Sequence, residues 1–391
     1  MTTDLGLALP FGQASPEVTE FRSRVRALVA DRVVPLVPGA ESDRKFPVEA
    51  VGALGLAGLF RERWSQGQHG DLGRSVVIAE EFGRAALGGV GVGVGLHLEA
   101  AVPLLRGFAR TEYARKVFDH AMDGRYVCCV ATSEREAGSN LAEIGTKLSR
   151  EGAAWRLRGT KWFVSPGGAA DVVIVLCRTT EGPALVLVPR EGVRVVKRLE
   201  TMGMRGLETC RLAFDTEIPD EAILVRPGMA LHAIGSALIY ERLSTAALML
   251  GALDLALLVT ATHLRRRKQF GVPLYEHQAL RLRLADLIAR TALARRGVHA
   301  TVAEFSAAGV VNMCEVAGVK VTVARLAEHV ASECAHLFGG HGYVEDETRF
   351  PQLLRDIRVG RVGGGTDEMM WELAAKGMRT DDALYDRWVR S

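Results

Sequence analysis

Residues 229–271 read MALHAIGSALIYERLSTAALMLGALDLALLVTATHLRRRKQFG. The stretch holds no proline, and only Gly235 and Gly251 weaken it, so it reads as one long helix. One stripe runs Ile234, Leu238, Glu241, Thr245, Leu248, Ala252, Leu255, in steps of three and four. The other faces are mostly apolar too (Ala246, Ala247, Met249, Leu250, Leu257, Leu258), the pattern of a helix buried in a core. Glu241 is therefore a carboxylate on an apolar face. Such a group costs free energy unless it is paired, protonated or turned to a cavity. A structural salt bridge and a catalytic role both fit it. Arg242 points to a different side, within reach of a partner. Basic residues from Arg265 to Lys268 suit the last turns, and Gly271 with Pro273 stops the helix.

Just ahead of this helix the period differs. Residues 125–228 break into short runs: Tyr126 to Ala131, Trp155 to Arg158, Lys161 to Val164, Asp171 to Cys177, Ala184 to Val188, Val193 to Val196 and Arg211 to Phe214. Turn residues such as Glu151-Gly152, Gly167-Gly168 and Glu181-Gly182-Pro183 separate them, which predicts a compact β unit of about seven strands, closed by Pro219 and Pro227. Residues 1–124 read as helical. A loose lead-in over 1–14 precedes a helix starting at Ser15-Pro16, with Val18, Phe21, Val25 and Leu28 as its buried stripe. Further helices are expected over Pro47 to Leu59, Arg74 to Ala86, Val90 to Leu105 and Thr111 to Asp123. The Gly-Val alternation of Gly88 to Gly95 fits a helix packed closely on its neighbours. Residues 229–391 add helices over Gln278 to Val298, Asn312 to Phe338 and Asp367 to Gly377. The fold class is α+β, mostly α, in three domains: 1–124 helical, 125–228 β, 229–391 a helical bundle.

The 391 residues, 48% hydrophobic and 24% charged, are enough for two or three packed units. A net charge of +3 gives no nucleic-acid footprint. The start, Met-Thr-Thr-Asp-Leu-Gly, lacks a basic region followed by an apolar run, which predicts no signal peptide. His232, Glu241, Arg242 and Asp254 interrupt the most apolar helix, so no membrane span is expected. Six cysteines without a C-x-x-C pair read as reduced thiols of a cytoplasmic protein. Ten histidines in no metal spacing predict no metal site.

Four loops can carry chemistry. Val130 to Asn140 leaves the first strand with hydroxyls and a Gly-Ser step. Gly159 to Gly168 is an aromatic strand ending in a hydroxyl. Arg267-Lys268-Gln269-Phe270-Gly271 is the third. The fourth is His336-Leu337-Phe338-Gly339-Gly340-His341-Gly342-Tyr343, followed by Arg355-Asp356 and Gly363-Gly364-Gly365-Thr366. Glycines there permit close backbone approach, and Thr366 can cap a helix. In this order the loops resemble the acyl-CoA dehydrogenase family of flavoproteins, from the Ser15 helix to Met378. The resemblance implies an N-terminal helical domain, a central β-barrel-like domain and a C-terminal four-helix bundle, assembled around FAD as a homo-oligomer, a tetramer or dimer, of which the tetramer is expected.

By that resemblance, Val130, Thr132 and Ser133 lie along the flavin, and Phe163, Val164 and Ser165 lie against its ring. Arg267, Phe270 and Gln278 reach the FAD of a neighbouring subunit. His336, Gly339 and Gly340 meet its adenine end, and Thr366 follows the active-site loop. Ser139, Arg242, Gly364 and Gly365 border the substrate. The chain departs from the family at Arg135, Asn140, Phe163, Pro166 and His336. Above all, Gly364 stands where many members carry the glutamate that removes the α-proton. Members lacking that glutamate often place one on the long helix just before an arginine, as Glu241-Arg242 does here. The implied activity is FAD-dependent dehydrogenation of an acyl thioester, on CoA or an acyl carrier protein, to the enoyl thioester. Glu241 takes the α-proton, the β-hydride goes to flavin N5, and an electron-transfer flavoprotein or oxygen accepts the electrons. The alternatives are a flavin monooxygenase or oxidase on the same fold and a non-catalytic flavin or acyl-binding protein. The loop over 133–140 departs in the manner of natural-product relatives that act on carrier-protein substrates.

Overall fold

The computed structural model describes residues 15–86, 88–152 and 154–389. The expected lead-in over 1–14 lies outside them. Ser15 caps the first helix, its hydroxyl accepting from Val18 N at 3.3 Å with Pro16 just inside. Among the described residues, α1 (Pro16–Leu28), α2 (Val37–Asp43), α3 (Val48–Leu56), α4 (Leu59–Arg63), α5 (Leu72–Arg84), α6 (Gly88–Leu96), α7 (Val102–Phe108) and α8 (Glu112–Met122) follow in turn. In α1, Phe21 and Val25 are buried but Val18 is exposed, because the first turn lies on the surface. The Gly-Val stretch is helical, and its glycines mark close neighbours. A Cβ at Gly93 would stand 2.2 Å from the Phe46 ring, and one at Gly89 2.5 Å from Leu207 N.

The β unit is one sheet of eight strands, not about seven. They are β1 (Cys128–Ala131), β2 (Lys147–Glu151), β3 (Ala154–Val164), β4 (Val172–Thr179), β5 (Gly182–Pro189), β6 (Arg194–Arg198), β7 (Cys210–Ile218) and β8 (Ile223–Val225). The order is β6-β7-β3-β2-β4-β5-β8, with β1 parallel to β4. Strand β2 escapes the pattern because Leu148 is its only buried side chain, and β8 because it has three residues. The two runs over 155–164 form one strand. It passes through Gly159, where a Cβ would meet Thr146 Oγ1 at 2.4 Å.

The long helix is α9 (Ala230–Arg266), 37 residues. It stops before Lys268. Lys268–Gln269 (β9) and Val272–Pro273 (β10) pair as a small hairpin, with Phe270 at φ 53° and Gly271 at φ 85° in its turn. Helix α10 (Gln278–Ala308) runs beyond the expected Val298 and ends on left-handed Gly309. Asn312 caps α11 (Met313–Leu337). Helix α13 (Asp367–Ala375) matches the expected helix, while α12 (Phe350–Ile357) and α14 (Asp382–Trp388) are additional. Helix α9 packs on α5, α10 and α11, and α11 on α13.

Gly251 is the price of a close crossing. A Cβ there would meet Glu80 O at 2.0 Å, and one at Gly83 would meet Leu248 O at 1.9 Å, so α5 and α9 touch backbone to backbone. Ion pairs tie the same crossing: Arg295 to Glu80 at 2.7 Å and to Asp254 at 2.6 Å, and Arg22 to Glu80 at 2.6 Å. Contrary to the sequence expectation, residues 88–108 and α9 are long and apolar enough to cross a bilayer. Their most apolar windows, however, are 72% and 78% buried inside the fold, so core burial accounts for their hydropathy.

Candidate active site

Glu241 lies on α9 and is 6% exposed. One turn on, Thr245 Oγ1 donates to its Oε1 at 2.9 Å. Its Oε2 is buried without a hydrogen-bond partner among the described residues. Burial pushes the Glu241 carboxyl up, against the opposing pull of the Thr245 hydrogen bond and the charges of Lys320 and Arg242. Across from Oε2 stands Gly364, at φ +65°, where a Cβ would lie 2.3 Å from that oxygen. Glycine is thus required twice over, by the left-handed backbone and by the carboxylate beside it.

The loop 363–365 is clamped by two cations. Arg242 Nε donates to Gly364 O at 2.9 Å, and Lys320 Nζ donates to Gly365 O at 2.6 Å. The helical spacing turns Arg242 away from the Glu241 side of α9. Both residues nevertheless meet the same loop, because Gly364 faces Glu241 and offers its carbonyl to Arg242. Lys320 escapes the sequence reading, although its signal is available: Val316, Ala317, Lys320, Val323, Ala324 and Ala327 place one lysine on the buried face of α11. Thr366 caps α13, accepting from Met369 N at 3.4 Å.

The first loop is tied to the third strand by Lys161. Its Nζ donates to Thr132 O and to Glu134 Oε1, both at 2.8 Å, while Trp162 N donates to Ser133 O at 2.8 Å. Burial works to raise the Glu134 carboxyl, but Lys161 and the Thr146 and Gly145 contacts outweigh it and hold it below the ordinary value. Val130, Thr132 and Ser133 are thereby fixed beside the end of β3. There Ser165 Oγ bonds Thr209 Oγ1 at 2.8 Å, and Phe163 stands 65% exposed. Val164 turns its side chain into the core, leaving only its backbone for a ligand. Ser139 is exposed, and Asn140 caps a short turn by accepting from Ala142 N at 3.3 Å.

A second group forms at the far end of α9. Arg267, His336, Gly339 and Gly340 line one cavity of about 630 Å³ with His263 and His341. Phe270, 93% exposed, and Gln278 lie outside it. A Cβ on Gly339 or Gly340 would meet nothing within 4 Å, so that turn is open to a ligand. An arginine, imidazoles and bare backbone suit the diphosphate and adenine of a dinucleotide. From Glu241 to Arg266 the helix rises about 38 Å, at 1.5 Å per residue, so one chain does not bring the two groups together.

A third space, about 580 Å³, runs beside α9 past Thr245, Leu248, Ala252, Leu255 and Val259. Ala86, Val92 and Phe350 complete its largely apolar wall. It begins at the threonine that holds Glu241. Asp356 borders it, accepts from Met204 N, and is pushed up to about 6 by burial.

The family descriptions acyl-CoA dehydrogenase N-terminal, middle and C-terminal domain match residues 15–125, 129–216 and 230–379. Over 369 residues the chain is 38% identical to the acyl-[acyl-carrier-protein] dehydrogenase MbtN of Mycobacterium sp. (strain MCS), covering 92% of this chain and 94% of that protein. The crystal structure of an acyl-CoA dehydrogenase from Geobacillus kaustophilus is 28% identical with a TM-score of 0.85, over 93% of this chain and 98% of that one. A glutaryl-CoA dehydrogenase from Mycobacterium smegmatis in complex with FADH2 shares the fold at 23% identity and a TM-score of 0.85, over 93% and 94% of the two chains. Three domain matches in order, spanning the buried carboxylate, the glycine loop and the two groups of loop residues at either end of α9, show that this chain belongs to the acyl-CoA dehydrogenase family, FAD-dependent oxidoreductases of acyl thioesters.

Proposed function

We propose that the chain dehydrogenates a long acyl chain carried as a thioester on an acyl carrier protein, with Glu241 as the base. The observation that carries this is the Glu241 carboxylate, buried with one oxygen bonded and the other free beside Gly364. A desolvated carboxylate holds a proton more tightly, which suits it to a weak carbon acid near neutral pH. Glu241 takes the proton from the α-carbon. Arg242 and Lys320 hold the loop carbonyls, which fixes the loop's peptide planes beside the thioester. When bound, FAD supplies the acceptor for the β-hydride.

Chain length follows from the apolar cavity. Thr245 to Val259 spans about 21 Å of helix at 1.5 Å per residue. An extended alkyl chain built on C–C bonds of about 1.5 Å needs on the order of sixteen carbons to run that far. The relative named for acyl-carrier-protein substrates supports the carrier. Anaerobic flavin bleaching against acyl-CoA and acyl-carrier-protein thioesters of graded length tests both points. Long carrier-protein thioesters should bleach fastest, and a preference for short CoA thioesters would overturn the reading. Ala252→Phe should cut kcat/KM for the longest substrates by roughly tenfold to a hundredfold while sparing short ones, as blocked pockets do. An equal loss at every length would place the acyl chain elsewhere.

The assembly we propose is a cytoplasmic homotetramer, supported by the two ligand-facing groups that a single chain keeps apart and by six free cysteines. Arg267→Ala should weaken FAD retention by about tenfold or more, the worth of a charge-assisted hydrogen bond. Sedimentation of a monomer that keeps its FAD would contradict this. The acceptor is an electron-transfer flavoprotein or oxygen, and the rate at which air reoxidises the reduced protein separates them.

A further inference from the structure

Lys320 is 1% exposed, on the face of α11 turned to α9 and the 363–365 loop. Its ammonium sits 2.6 Å from Gly365 O, one residue from the glycine whose Cβ would strike Glu241. The charged groups acting on it are Glu241 and Arg242 from α9 and Asp367 from α13. Asp367 is already engaged, since Arg361 bonds it at 2.7 Å and Arg325 lies at 3.4 Å. Arg242 spends its Nε on Gly364 O. A buried ammonium that donates to a neutral carbonyl is poorly compensated unless a carboxylate lies nearby. The carboxylates acting on it are Asp367, whose Oδ2 is held by two arginines while its Oδ1 has no partner among the described residues, and Glu241, whose Oε2 likewise has none.

We propose that Lys320 is a positioning residue for the reaction: together with Arg242 on Gly364 O, its bond to Gly365 O fixes the loop peptides beside Glu241, and through its charge it sets the pH at which Glu241 is able to accept a proton. A trans peptide is planar, with C=O and N–H antiparallel. Holding the carbonyls of Gly364 and Gly365 therefore also aims the N–H groups of Gly365 and Thr366. The electrostatic half has a definite sign. A base must be deprotonated to work, and a nearby cation favours the carboxylate. Burial works against the charged lysine here, and the charges of Glu241 and Asp367 work for it.

The inference rests on Glu241 being the base, and the experiment separates the two. Single-turnover flavin reduction by a long-chain acyl thioester is followed across pH for the FAD-loaded wild type, Lys320→Met, Lys320→Gln and Lys320→Arg. Removing the charge should move the acidic limb to higher pH. At a fixed pH on that limb the rate then falls by roughly tenfold for every pH unit the limb moves, and it recovers as the pH rises. Lys320→Arg should leave the limb near its wild-type position. Lys320→Gln keeps a donor for Gly365 O, so it carries the test if Lys320→Met does not fold. An acidic limb unmoved in the uncharged variants overturns the proposal, even if the rate falls evenly at all pH values. In parallel, Glu241→Gln that reduces its flavin at the wild-type rate would instead dismiss Glu241 as the base.

Discussion

Glu241→Gln, loaded with FAD, is expected to lose flavin reduction by substrate by about two to four orders of magnitude, the typical worth of a general base. The substitution keeps volume and leaves an amide oxygen to accept from Thr245 Oγ1, as Glu241 Oε1 does at 2.9 Å. It removes a buried carboxylate that is costly to desolvate but also one that offsets the Lys320 charge, so the variant should fold with a somewhat lowered melting temperature. FAD content should also hold, because the residues we propose to face the cofactor lie on β1, β3 and at the far end of α9. The loss must therefore appear in the single-turnover rate and not in cofactor occupancy. A Glu241→Gln protein reducing its flavin at the wild-type rate makes Glu241 a structural residue and not the base.

Gly364→Glu in the otherwise unchanged protein is expected to be nearly inactive, although it adds the carboxylate many relatives carry there. A non-glycine residue at φ +65° costs about 1–2 kcal/mol. Its Cβ would lie 2.3 Å from Glu241 Oε2, so the loop has to move. A displacement of about 1 Å from a productive geometry is enough for a hundredfold loss. Two carboxylates sharing one dry site also cannot both ionise easily. Pairing Gly364→Glu with Glu241→Gln should not help, because glutamine fills the same volume. Pairing it with Glu241→Ala clears the space and retains a good helix former on α9. That double variant should exceed Glu241→Ala alone by roughly tenfold or more in flavin reduction, part of a general base's worth. If it does no better than Glu241→Ala, position 364 does not face the α-carbon in this protein.

Much of the architecture is legible without coordinates. The helical run of α9, the Ser15 cap and the change to short strands near Arg125 are local patterns, and residues within a turn or a strand of one another set them. The misses are also local. Strand β2 has one buried side chain, so no alternation marks it. The end of α9 reads as continuing through Lys268 because basic residues suit a helix terminus as well as a hairpin, and only the positive φ of Phe270 and Gly271 distinguishes the two.

The sequence by itself determined that Glu241 would be a buried carboxylate, because one polar residue on an apolar stripe at helical spacing has nowhere else to go. Only the family resemblance turned Gly364 into a reason to seek the base on α9. What surrounds that carboxylate was decided only by tertiary structure. Arg242 meets Gly364 across 122 positions of chain, and Lys320 meets Gly365 across 45. The Gly83–Gly251 crossing that sets α5 against α9 joins residues still more remote in the chain. Periodicity reports which side of an element is buried. It carries no information on which distant backbone carbonyl an arginine or lysine will reach, since that depends on how the packed helices cross.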